Sequence, residues 1–146
     1  MQRANLKAVF KSSLAVGDFA CACGAFMVAY WLRYRLPYLP PAPPGDFGLY
    51  FRFSLFIAFA TFVTLYSSGL YRLEQPFFGV DDFFAIIKAI TLSHLVSAAV
   101  SFAIRGKLPG DPLETYSRIV LAQSWLLSIV VMTAWHVVFD LVLSAF

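Results

Sequence analysis

Few side chains in this 146-residue chain could do acid–base or ligand chemistry, and most of those lie in apolar surroundings. Asp18, Lys88, His94 and His136 each fall inside a long hydrophobic stretch. An ionisable group within hydrocarbon is costly to keep there, so each is a functional candidate. Counted along a helix from the side nearest the N-terminus, Asp18 lies about 9 Å deep, Lys88 about 8 Å and His136 about 10 Å. That common depth predicts one polar cluster, with Asp18 partnered by Lys88 or His136. Its plainest role is an ion pair that fixes helix packing. Lys88 and His136 are also the donors a lipid phosphate would need, and Lys88 alone could snorkel to the interface.

His94 falls near the middle of its stretch. Two histidines on two helices can hold a haem or a chlorin. The depths of His94 and His136 differ by about 6 Å, an awkward offset that helix tilt could absorb. A histidine bonded to a neighbouring Ser or Thr is the commoner arrangement. Cys21 and Cys23 share the first stretch and point to different sides of a helix, so no mutual disulfide is expected. With the histidines they span three helices, which gives no metal-ligand spacing. Asp46, Glu74, Asp111 and Glu114 read as solvated loop carboxylates. No Gly-rich phosphate loop and no nucleophile–base set is evident.

The elements that must position these groups dominate the composition. The chain is 60% hydrophobic and 13% charged, with a formal net charge of +3 and a mean hydropathy of +0.75. A soluble domain carries about 25% charged residues, so a bilayer domain is expected instead. Four apolar spans are predicted, over about 12–32, 47–68, 83–104 and 118–143. The first follows Arg3, Lys7 and Lys11. It is too long for a signal-peptide core and lacks a small-x-small site, so it is expected to remain as a span. Pro37, Pro40, Pro41, Pro43 and Pro44 make the first connection an extended loop. Gly69 is placed to end the second span, and Asp81 or Asp82 to cap the third. The phenylalanines of span two (Phe51, Phe53, Phe56, Phe59, Phe62) read as lipid-facing or packing surface. Lys and Arg nearly balance between the two sides, and the basic N-terminus mildly favours N-in. No basic run interleaved with aromatics points to nucleic acid.

The span boundaries carry a further pattern. Asp18 lies early in span one, which ends Ala29-Tyr30-Trp31-Leu32-Arg33-Tyr34. Span two ends in Gly69-Leu70-Tyr71-Arg72, Asp82-Phe83-Phe84 leads through Lys88-Ala89, and Ser117-Arg118 opens span four, with Trp125 inside it. In order and spacing this resembles the N-terminal four-helix membrane region of bacterial polyprenyl-phosphate sugar-1-phosphate transferases. It is similar too to the membrane region of the related nucleotide-sugar dehydratases of polysaccharide biosynthesis. The resemblance covers nearly the whole chain on short motifs. It implies a bacterial inner-membrane location with both termini and the segment Gly69 to Asp82 cytoplasmic, and a polyprenyl-phosphate nearby. Those families keep their chemistry in parts that would follow span four, so no catalytic residue carries over. The chain would then be a piece of a longer enzyme or a module that has lost the rest. One departure is visible: such proteins often end span four on a basic residue, where this chain has His136 and Asp140. Tyr71-Arg72 and Ser117-Arg118 read as interface anchors.

The fold class expected is all-α, a four-helix transmembrane bundle with both termini on one side. The function expected is a non-catalytic membrane module of polysaccharide biosynthesis, without its own cofactor. It would serve anchoring, oligomerisation or the lipid-substrate environment. The rival is an accessory subunit of a larger membrane complex, respiratory or photosynthetic, packed against partner helices, pigments or lipids.

Overall fold

The computed structural model describes residues 2–36, 46–71, 79–103 and 117–144, with side chains for 10–36, 46–71, 79–103, 117–142 and 144. Four helices follow one another: α1 (Gln2–Arg35), α2 (Phe47–Ser67), α3 (Val80–Ala103) and α4 (Arg118–Ser144). The described residues contain no strand. Each helix is long and apolar enough to cross a membrane, with mean hydropathy between 1.5 for Phe10–Arg35 and 1.9 for Arg118–Val142. Hydrocarbon offers no partner to backbone N–H and C=O groups, and a helix satisfies them within one segment. The chain is thus an all-α integral membrane bundle. The proline segment 37–45 and the segments 72–78 and 104–116 lie outside the described residues.

The helix starts and stops follow local chemistry. Asp46 caps α2 by accepting from the Gly48 N–H at 3.0 Å. Asp46 is exposed, as a solvated loop carboxylate would be, yet it does have a partner: four orphan N–H groups open each helix, and a carboxylate just before them finds a donor at once. Asp82 accepts from the Gly79 N–H at 2.9 Å at the start of α3. At the end of α2, Gly69 adopts φ 75°, a left-handed conformation that a Cβ would strain. That turn swings Leu70 and Tyr71 back against the bundle, where Tyr71 is buried.

The helices form a closed ring. α1 packs on α4 and α2, and α3 on α2 and α4, while α1 and α3 stand diagonally apart. Every neighbouring pair is antiparallel. Tyr34 at the end of α1 meets Tyr50 at the start of α2. Thr64 late in α2 reaches the Ala89 carbonyl early in α3. Arg118 opening α4 lies over Phe102 at the end of α3, and Phe10 meets Phe139. The starts of α1 and α3 therefore share one end with the close of α4, so both termini lie at that end.

The α1–α4 seam is the most extensive contact. Helices in lipid gain no hydrophobic drive from meeting, so close backbone approach through small residues takes its place. Ala22, Ala25 and Ala29 on α1 and Ser124 and Ser128 on α4 are buried. Gly17 lies against the Trp135 ring so closely that a Cβ there would overlap it. One apolar cluster, centred on Leu65, Ile86, Ile90 and Met132, fills the end that holds the termini. A second, around Phe26, Phe53, Ile57 and Val120, fills the other. Phe51, Phe56 and Phe59 face outward, whereas Phe53 is core, so the phenylalanine row of α2 divides between lipid and packing.

Candidate functional site

The most buried ionisable group among the described residues joins three parts of the chain. Asp18 on α1 is 1% exposed. Its Oδ1 accepts from His136 Nε2 on α4 at 2.9 Å. Its Oδ2 accepts from the Tyr71 hydroxyl at 2.8 Å, reaching in from the turn after α2. His136 is 7% and Tyr71 3% exposed. Both carboxylate oxygens thus have a directed donor, the condition under which a buried carboxylate is tolerable. Because the carboxylate accepts, Nε2 of His136 carries a proton. Tyr71 lies past the end of the α2 span. Burial, with the Asp18 carboxylate beside it, pushes its phenol well above the ordinary range.

Of the expected cluster, the structure brings Asp18 and His136 together and leaves Lys88 outside. Lys88 is exposed on α3. Its matching depth could not put it beside Asp18, because α3 stands diagonally across the ring from α1. The third member is Tyr71. Expected as an interface anchor, it is a core residue instead, because the left-handed turn at Gly69 directs it inward. Its sequence signal was its place two residues after a helix-ending glycine, where the chain can turn back onto the bundle. Arg72 lies outside the described residues.

A second polar layer crosses the bundle centre. Thr61 Oγ1 lies 2.9 Å from Ser93 Oγ. Ser93 donates to the Ile90 carbonyl, so Thr61 donates to Ser93. His94 Nδ1 is 3.0 Å from that same carbonyl, and its Nε2 is 3.1 Å from Ser124 Oγ. A carbonyl only accepts, so Nδ1 carries a proton; the Ser124 hydroxyl facing Nε2 also reaches the Leu121 carbonyl at 2.9 Å, so its single proton is shared between two acceptors. Trp125 Nε1 donates to Thr91 at 3.0 Å. From Ser124, beside His94, to His136 helix α4 rises about 18 Å. The two histidines are therefore not a facing pair, and the offset of about 6 Å estimated by rise alone is too small. Each Nε2 is engaged by a protein oxygen, and a haem or chlorin ligated by His94 would have to displace Ser124. Cys21 and Cys23 are free thiols, and Cys23 lies 3.1 Å from Ser54 Oγ. The described residues hold no group of three or more His, Cys, Asp or Glu able to bind a metal ion.

At the opposite end a tyrosine clasp closes the bundle. Tyr50 shares a 3.0 Å hydroxyl contact with Tyr34 and accepts the Ser117 backbone N–H at 2.9 Å. One phenol thereby ties α2 to the end of α1 and the start of α4. Ser117 serves through its backbone, and Arg118 is exposed with its guanidinium 5.4 Å from the Phe102 ring centre. Sequence reasoning missed this clasp, since tyrosines at span ends read equally well as lipid-interface residues. No protein-family model, curated protein or solved structure matches this chain.

Proposed function

We propose that this chain is a non-catalytic membrane module of cell-surface polysaccharide synthesis. Its role would be that of the membrane region of the polyprenyl-phosphate sugar-1-phosphate transferases it resembles: anchoring, self-association and shaping the lipid environment of the substrate. The corresponding location is a bacterial inner membrane with both termini cytoplasmic. One observation carries this reading. Asp18 and Tyr71, two of the residues on which the resemblance rests, lie far apart in sequence yet meet in a single buried hydrogen bond. Residues that share a motif and also share a contact form one structural unit. The reactive-looking groups are moreover engaged with one another: Asp18 with His136 and Tyr71, and His94 with Ser124. That is the pattern of a packing device rather than of a site awaiting a substrate.

One observation favours a second reading, an accessory subunit of a larger complex. Helix α4 is the least enclosed of the four, and its outer face carries exposed Leu126, Val130, Val138 and Leu141. Such a surface suits partner helices or pigments as well as lipid. Purification from the native membrane in mild detergent separates the two. Recovery with glycosyltransferases or flippases, or as a colourless self-associated bundle, supports the first. Co-migration with a pigmented or redox assembly, showing a Soret or chlorin band, defeats it.

A further inference from the structure

The ring of antiparallel helices sorts the charges of the chain by end. Among the described residues, the end where α1 and α3 finish carries Arg33, Arg35, Arg52 and Arg118 against one carboxylate, Asp46. Asp46 is occupied in capping α2. The end that holds the termini carries Lys11 and Lys88 against Asp81, Asp82 and Asp140. With Arg3 and Lys7 of α1 and the Asp18 carboxylate counted, the formal charges at that end cancel, whereas those at the first end sum to +3 among the described residues.

We propose that Arg35, Arg52 and Arg118 form a rim that contacts anionic phospholipid headgroups. All three are exposed. Arg52 stands on the lipid-facing side of α2 beside exposed Phe51, so its stem can lie along apolar surface while the guanidinium reaches headgroup level. Arg118 rests on the Phe102 ring, which holds its charge at the α3–α4 edge. Arg35 ends α1. A guanidinium matches a phosphodiester with two parallel hydrogen bonds, a geometry that lysine lacks. Among the described side chains, the opposite rim carries Lys11 and Lys88 beside Asp81, Asp82 and Asp140, carboxylates that repel the same headgroups.

Spin-labelled lipids test this on the purified chain in bilayers of phosphatidylcholine with phosphatidylglycerol. The wild-type protein is expected to hold labelled phosphatidylglycerol over phosphatidylcholine by about five-fold or more, weakening with salt. The variant R35Q/R52Q/R118Q is expected to lose most of that preference, while K11Q/K88Q keeps it. Inorganic phosphate should compete no better than chloride at equal ionic strength. Stronger competition would mean a site for the free anion and overturn the lipid assignment. Equal retention of both lipids by the wild type, or a preference unchanged in the arginine variant, would overturn the proposal outright. If the triple variant fails to insert, the wild type decides, because a preference indifferent to salt is not electrostatic.

Discussion

At the scale of residues, Asp18 decides the most. Its two oxygens are each held by one donor, so removing either donor leaves a buried carboxylate half satisfied. Tyr71→Phe should cost about 1–3 kcal/mol. His136→Ala should cost about 3–5 kcal/mol, because it also leaves the volume of a buried ring empty. Thermal unfolding in detergent should rank the wild type above Y71F and Y71F above H136A; a Y71F melt equal to wild type would refute the bond. The phenol of Tyr71 also sets a pH dependence. Its folded value is raised by burial and by the Asp18 carboxylate. The associated stability is fully present below the unfolded value near 10 and is lost as pH rises through the folded value. The wild type should therefore lose stability above about pH 10 more steeply than Y71F. Parallel alkaline slopes would show that Tyr71 titrates as it does in the unfolded chain.

At the scale of elements, the glycines separate packing from conformation. Gly17 sits under the Trp135 ring, and any Cβ there collides with it. Gly17→Ala should open the α1–α4 seam at a cost of about 1–3 kcal/mol. Gly24 faces open space, with nothing within 4 Å of the place an alanine methyl would take, so Gly24→Ala should be neutral or stabilise by up to about 1 kcal/mol. Equal melts for the two alanine variants would contradict the seam. The four helices were legible from hydropathy, because span length is set by the bilayer, but helix length was not: α1 begins at Gln2, ten residues before the expected span. Which face of each helix turns inward was not. The periodic contrast is weak when lipid and core are both apolar, and Phe53 and Phe56, three residues apart, ended on different sides.

At the scale of the whole molecule, the closed antiparallel ring requires that the two termini report the same compartment. Reporter fusions at Met1 and at Phe146 should agree, whichever side they register. Opposite readings would break the ring. The arrangement also explains why depth alone misassigned Lys88. Equal depth puts residues in one layer, but neighbours within the layer are fixed by which helices touch, and α1 does not touch α3.

The sequence by itself determined the membrane setting, the number of spans and the pairing of Asp18 with one basic partner at its level, since hydrocarbon thickness and the cost of a buried charge act on any such chain. Only the tertiary structure decided that the partner is His136, that Tyr71 turns inward to complete it, and that Arg33, Arg35, Arg52 and Arg118 share one end of the bundle. Those outcomes depend on the order of helices around the ring and on the left-handed turn at Gly69, and neither is written in hydropathy.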